Sequence, residues 1–207
     1  MGLLFGKGQK VLFIGDSITD CGRKDIPLGV GYVRMAAGLL VARYPERGLE
    51  CVNMGIGGNT VRSLAARWDA DVVAQDPDWV SVSIGINDVW QQVNNPAGGV
   101  HIEEFEKTYR ELIDRTRRTR ARLILMQTTV IGENPADRGN ALLKPYNDLI
   151  DRLAAEYKTV LVPMNREWTR TITDHSNVKW TSDGVHPLPA GHALMARVWL
   201  ATVGFKW

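Results

Sequence analysis

Five short apolar runs, each followed by a longer segment with helical spacing, limit what this chain can fold into more than any other feature of its sequence. The runs are Val11–Ile14, Glu50–Met54, Trp79–Ile84, Arg122–Thr128 and Thr159–Pro163. They are rich in Val, Ile and Leu and too short for helices, so they read as strands. Helical spacing is carried by Gly31–Tyr44, Val61–Ala74, Ile102–Arg118, Asn140–Tyr157 and Pro189–Val203, with Pro45, Pro77 and Pro163 near element boundaries. Strands that alternate with helices pair in parallel, and the crossover helices cover both faces of the sheet. The expected architecture is a three-layer α/β/α domain. A chain of 207 residues with 44% apolar content suits one such domain over residues 1–207, and can bury about 70% of its unfolded surface. There are no internal repeats, low-complexity tracts or linkers. The longest irregular stretches, Trp90–His101, Thr129–Gly139 and Asp174–Leu188, follow strands or lead into the last helix, where loops form the walls of sites.

Composition excludes several classes of function. The 25 basic and 23 acidic residues leave a formal charge of +2. The densest basic run, Arg115–Arg122, sits at a helix end before a strand, where cations complement the helix dipole and face solvent. No nucleic-acid partner is expected. The opening MGLLFGKGQK has too short an apolar run for a secretory signal, and no later segment approaches the roughly eighteen apolar residues of a membrane span. The expectation is a cytoplasmic protein with no membrane partner; a homo-oligomer is compatible with it. Cys21 and Cys51 lack a C-x-x-C spacing and read as free thiols of a reducing compartment, with no chemistry assigned. There is no H-E-x-x-H and no Cys/His cluster, so neither a metal nor any other cofactor is expected.

The stretch VLFIGDSITDCGR, Val11–Arg23, carries the first chemical signal. Gly15-Asp16-Ser17 breaks the first strand where the chain must turn into a helix. A serine there has its hydroxyl at the carboxyl end of a strand, where open α/β sheets bind ligands, and its N–H at a helix start. Ser is also a common N-cap, so the tripeptide alone leaves a nucleophile and a cap equally open. Downstream, Gly55-Ile56-Gly57-Gly58-Asn59-Thr60 leaves the second strand through glycines and enters a helix capped at Asn59 or Thr60. Such a turn cradles an anion or simply tightens the connection. Gly85-Ile86-Asn87-Asp88 ends the third strand and sets a primary amide, Asn87, at the same edge, either as a donor or as a turn former. The most specific signal is Asp183-Gly184-Val185-His186-Pro187 before the final helix. Its three-residue separation lets the Asp183 carboxylate orient the His186 ring and leaves the other ring nitrogen for a serine. His101, His175 and His192 lack an Asp at that spacing and read as surface or packing residues.

These four ordered blocks, Gly15-Asp16-Ser17, Gly58-Asn59, Gly85-Ile86-Asn87-Asp88 and Asp183-x-x-His186, resemble the SGNH or GDSL-type ester hydrolases over nearly the whole chain. The resemblance implies a flavodoxin-like sheet of five parallel strands in the order 2-1-3-4-5. It implies Ser17 as nucleophile, His186 as base then acid, and Asp183 as its orienting carboxylate. It further implies an oxyanion hole made by the Ser17 N–H, the Gly58 N–H and the Asn87 amide. Gly58 rather than Gly57 is chosen because the family's glycine directly precedes the Asn or Asp that opens the helix. The stretches GDSITDCGR, GGNTVRSLAARW and SIGINDVWQ resemble the intracellular acetylxylan esterases of this family, which implies removal of acetyl groups from xylo-oligosaccharides. Trp90 and Trp180 lie near Asn87 and Asp183 and either wall the pocket or pack under loops. The family often has Trp directly before the triad Asp, whereas Trp180-Thr181-Ser182 stands here.

Other ester hydrolases of the same fold, a general carboxylesterase, a thioesterase or a lysophospholipase, remain as alternatives on sequence. A non-catalytic phosphate- or nucleotide-binding module would use the glycine turn as an anion nest. That reading leaves Ser17, Asp183 and His186 unexplained, and the chain has neither a Walker lysine pattern nor G-x-G-x-x-G after the first strand.

Overall fold

In the computed structural model, which describes residues 2–207, the sheet is built around β1 (Lys10–Gly15). β1 pairs in parallel with β2 (Glu50–Gly55) on one side and β3 (Trp79–Ser83) on the other; β4 (Arg122–Met126) and the short β5 (Val160–Val162) complete the order β2-β1-β3-β4-β5. This is the order implied by the resemblance. Register aligns the strand ends: Gly15 stands opposite both Gly55 and Ser83. Three connections therefore leave from one row at the carboxyl edge, on either side of the point where the winding reverses, which is where such sheets bind ligands.

The helices are α1 (Ser17–Asp20), α2 (Tyr32–Arg43), α3 (Val61–Asp71), α4 (Ile86–Asn94), α5 (Ile102–Arg117), α6 (Arg138–Glu156), α7 (Met164–Asp174) and α8 (Pro189–Thr202). α2, α7 and α8 pack together, as do α3, α5, α6 and α4, giving the three layers. The period-two alternation of β1 feeds both faces. Phe13 meets Trp199 of α8 at 4.8 Å and Tyr32 of α2 at 6.1 Å between ring centroids. Trp199 also stacks on Phe5 and donates its indole N–H to the buried Ser81 hydroxyl at 3.0 Å. A fully buried aromatic with its polar atom satisfied is the kind of site where truncation to Ala costs about 3–5 kcal/mol. On the other layer, Trp68 of α3 is fully buried and donates to Thr116 of α5 at 3.1 Å.

The five expected strands and five expected helices are present, with ends within a few residues. The exception is the tail of Val61–Ala74, which is a separate 3-10 turn, Val73–Gln75, after α3 ends at Asp71. Two further helices were not read from sequence. Asn87 and Asp88 do not end a strand: β3 stops at Ser83, and Gly85, at a φ of 125° that other residues rarely adopt, starts α4 directly. α4 then runs through Trp90 to Asn94, into a stretch expected to be irregular. α7 fills the chain after β5 and buries only Met164, Trp168 and Ile172, a stripe too sparse to announce itself among charged residues. Part of the basic run is paired within the protein: Arg115 with Asp69 at 2.7 Å, Arg120 with Asp76 at 3.1 Å, and Arg122 lies over Trp79. No helix among the described residues is long and apolar enough to cross a membrane.

Candidate active site

The chain leaves β1 at Gly15 and enters α1 within two residues. Asp16, rather than Ser17, is the cap: it is buried, and its carboxylate accepts the Ile18 N–H at 3.0 Å. Ser17 is thereby freed from capping and takes the first helical position, with an N–H that has no acceptor among the described residues. α1 lies close on the end of β2. A Cβ on Gly55 would fall 2.1 Å from the Asp20 nitrogen, so only glycine permits the approach. Asn53 of β2 fastens the helix, its amide donating to the Thr19 carbonyl at 2.7 Å and to the Leu28 carbonyl at 3.1 Å.

His186 arrives from the loop between α7 and α8. Its Nε2 is 2.9 Å from Ser17 Oγ, and its Nδ1 is 2.7 Å from Asp183 Oδ2. The other carboxylate oxygen, Asp183 Oδ1, accepts the backbone N–H groups of Val185 at 3.0 Å and His186 at 2.8 Å. Partial burial works against the Asp183 charge, but the N–H of His186, its ring and the N–H of Val185 outweigh it and hold the carboxyl down at about 2. A carboxylate at Nδ1 requires the ring proton there and presents the Nε2 lone pair to the serine hydroxyl. The arrangement can withdraw a proton from Ser17 and stabilise the imidazolium that results.

The loop is tied at its base. Thr181 and Pro187 form an isolated antiparallel bridge, and Ser182 N–H donates to the His186 carbonyl at 2.9 Å. Glu133, from the loop after β4, accepts the N–H of Trp180 at 3.1 Å, the N–H of Thr181 at 2.6 Å and the Thr181 hydroxyl. Nothing in the sequence singled out Glu133 beyond its place in a long loop after a strand.

Two further donors stand beside Ser17. Gly57 donates to the Asp20 carboxylate at 3.2 Å, whereas the N–H of Gly58 has no acceptor among the described residues. Of the two adjacent glycines, Gly58 is the one with a donor to offer. Asn87, in the first turn of α4, donates one amide hydrogen to the Asn59 carbonyl at 3.0 Å, which leaves the other for a ligand. The helix cap is Thr60, in a capping box with Ser63. The neighbouring Asp88 is fully buried, with Oδ1 accepting the Val61 N–H at 3.0 Å and Oδ2 unpartnered among the described residues. Burial pushes Asp88 up to about 7, and pushes Asp16 up to about 7 as well.

Of the two tryptophans, only Trp90 reaches the site, its ring 5.7 Å from that of His186 in an edge-on arrangement. Trp180 faces a groove of about 490 Å³ between α7 and α8, with its indole N–H on the His175 carbonyl at 3.3 Å. His192 is buried, accepts the Tyr32 N–H through Nδ1 at 3.2 Å and faces Cys21 Sγ through Nε2 at 3.4 Å. Burial, and then the nearby His186, hold it down at about 4. Cys21 and Cys51 are free thiols. Among the described residues, no group of three or more His, Cys, Asp or Glu is placed to hold a metal ion.

Residues 13–194 match the model of the GDSL-like lipase/acylhydrolase family. The chain is 42% identical to an acetylxylan esterase of Geobacillus stearothermophilus, over 98% of this chain and 97% of that protein. It superposes on the crystal structure of Axe2, an acetylxylan esterase from the same organism, with a TM-score of 0.92 and 41% identity, covering 99% of this chain and 98% of the other. Solved catalytic mutants of Axe2 replace a Ser, an Asp and a His three positions beyond that Asp. A more distant relative, the thioesterase 1/protease 1/lysophospholipase L1 of Escherichia coli, is 27% identical over 66% of this chain and 58% of that protein. With a family match over most of its length and a site assembled from the blocks that mark the family, the chain belongs to the GDSL-like lipase/acylhydrolase family.

Proposed function

We propose that this protein is a serine esterase that removes acetyl groups from acetylated xylo-oligosaccharides or related sugars. The observation that carries the reading is the continuous relay from Ser17 Oγ through His186 to Asp183, at 2.9 and 2.7 Å, at the carboxyl edge of the sheet beside two donors with hydrogens to spare. Ser17 Oγ attacks the ester carbonyl as His186 Nε2 takes its proton. The oxyanion is received by the Ser17 N–H, the Gly58 N–H and the Asn87 amide, the oxyanion hole of this reading. His186 returns the proton to the leaving alcohol, and water attacks the acetyl-Ser17 intermediate by the same route in reverse. No cofactor enters any step.

Acetyl as the acyl group is supported by identity to the Geobacillus enzyme over nearly the full chain. The reading assigns the activity to one domain spanning residues 1–207 and places the protein in the cytoplasm, supported by its two free cysteines. It gives the protein no nucleic-acid partner, supported by the internal pairing of the Arg115–Arg122 run.

Ser17→Ala tests the reading. With p-nitrophenyl acetate, the purified variant should lose at least about 10³-fold in kcat with an unchanged melting temperature. Near-native turnover would remove Ser17 from the mechanism. Acetylated xylose and xylo-oligosaccharides should be deacetylated, and acetyl should outrun butyryl and octanoyl p-nitrophenyl esters; faster octanoate turnover would overturn the acyl assignment in favour of a lysophospholipase or thioesterase.

A further inference from the structure

Arg67 lies on α3, within the stretch GGNTVRSLAARW but with no role assigned from sequence, and its guanidinium has a fuller set of partners than any other cation near the site. The side chain is only 14% exposed. Its Nε donates to the Asn59 side-chain oxygen at 2.8 Å, Nη1 to the Met54 carbonyl at 2.8 Å and Nη2 to the Gly15 carbonyl at 3.1 Å. Asp71, one helical turn on, pairs with Nη1 at 2.6 Å and compensates a buried charge.

The acceptors matter more than their number. Gly15 ends β1 just before Asp16 and Ser17, and Met54 stands one residue from the end of β2. Asn59 follows Gly58, and its backbone carbonyl is the acceptor of the Asn87 amide at 3.0 Å. The Asn59 N–H also closes the turn on the Ile56 carbonyl at 3.3 Å. One planar fork thus joins the nucleophile strand, the neighbouring strand and the residue that both follows the free Gly58 N–H and aims the Asn87 amide. Holding three acceptors in three directions requires the five fixed donors of arginine; a lysine ammonium on a flexible stem satisfies fewer of them in a defined geometry.

We propose that Arg67 is a positioning residue of the oxyanion hole: through Asn59 it fixes the Gly58 N–H and the Asn87 amide relative to Ser17. Arg67 touches no substrate and acts only through the two donors. The inference rests on the reading of Ser17, Gly58 and Asn87 given above. Preorganised donors contribute to the transition state only while they stay in place, so a loosened loop lowers kcat with little change in ground-state binding.

The test compares Arg67→Lys, Asn59→Ala and their combination with p-nitrophenyl acetate. Asn59→Ala removes the side-chain link alone and leaves the carbonyl bonds and ion pair of Arg67 intact. Each single variant should lose about 10-fold or more in kcat, with KM within about twofold and the shape of the pH–rate profile unmoved. The double variant should fall no further than the worse single, within about threefold, because both changes cut one path. Native kcat in both single variants, a rise in KM at native kcat, or losses that multiply would overturn the proposal. If Arg67→Lys does not fold, Asn59→Ala decides by itself, native kcat again being the contradicting result. Asn87→Ala separates the two levels: native kcat there defeats the oxyanion-hole reading, whereas a large loss there with Asn59→Ala and Arg67→Lys intact defeats only the role of Arg67.

Discussion

Ser17, Gly58 and Asn87 stand on backbone that the sheet and its first helices hold from beneath, whereas Asp183 and His186 ride on a loop between α7 and α8, their side chains 43% and 38% exposed. On the first side the supporting groups are buried: Asp16 caps α1, Asp88 accepts the first N–H of α3 and Asn53 fastens α1 to β2. On the second side the ties are fewer: a β-bridge, the Glu133 carboxylate, the Gly132 N–H on the Gly184 carbonyl at 2.8 Å and the buried Val185 hold the loop down. On the reading proposed above, the difference follows from what each half must do. Donors to an oxyanion and a nucleophile must not shift as charge develops, and a sheet edge supplies that rigidity. A base must turn toward the serine and then toward the leaving alcohol, and a loop anchored at its foot allows both. The partly exposed Asp183 keeps its charge against partial burial through the His186 ring and local N–H donors, while Val185 between them packs into the core.

The contrast can be broken from either side. The largest effect is expected at Asp183, where replacement by Asn removes the charge and permits the wrong ring tautomer; kcat should fall by roughly 10³–10⁴, and loss under about tenfold in both Asp183→Asn and Asp183→Ala would show that something else holds His186. On the rigid side, Asn87→Ala should cost about 10²–10³ in kcat with a much smaller change in KM, as for loss of one donor to an oxyanion. Glu133→Ala comes next. It leaves the N–H groups of Trp180 and Thr181 without their acceptor and should lower kcat about tenfold by letting the His186 loop drift; native kcat would show that the loop's other ties suffice.

The smallest effect concerns stability on the buried side. Asp88, raised by burial from 3.8 to about 7, binds a proton in the folded state that the unfolded chain releases. Its contribution is therefore fully present below about pH 4 and is lost as pH rises through about 7; Asp16 carries the same sign. Asp88→Asn keeps the shape and the acceptor for Val61 but stays neutral. It should melt a few degrees above the native protein at pH 8 and match it at pH 4, given about 2–4 °C per kcal/mol for a chain of this size. A melting temperature lowered equally at both values would contradict the assignment.

The rigid half was the more legible in sequence, and for the same physical reasons. Apolar runs of four to seven residues announce strands because both faces of a parallel sheet are buried, and glycines at Gly15, Gly55 and Gly58 announce turns that only they can make. Within that half, α4 was missed because Gly85 passes from strand to helix without a loop. Asp16 was missed as the cap because Asp and Ser stand side by side and both cap well. In the loop half, the pair Asp183 and His186 was legible from its spacing taken with the serine, glycine and Asn blocks upstream. Glu133 was not, since it lies 47 residues or more from the groups it holds and a lone acidic residue in a loop has no pattern. The contact between Arg67 and Asn59 was hidden for a related reason: a side chain eight residues away on the next helix bonds back into the turn, and no local periodicity records such a contact. Trp180 shows the limit of nearness in sequence, lying three residues from Asp183 yet turned toward α7 and α8.

The central claim is that Ser17 is the nucleophile and that the loop carrying Asp183 and His186 activates it. A serine-directed phosphonate tests this most directly, by inactivation kinetics followed by peptide mapping. The account predicts one label per chain, on Ser17, forming in step with loss of p-nitrophenyl acetate hydrolysis and slowed by about 10³-fold or more in Asp183→Asn. Inactivation with the label on another residue, hydrolysis that persists when Ser17 is fully labelled, or labelling of Asp183→Asn at the native rate would contradict it.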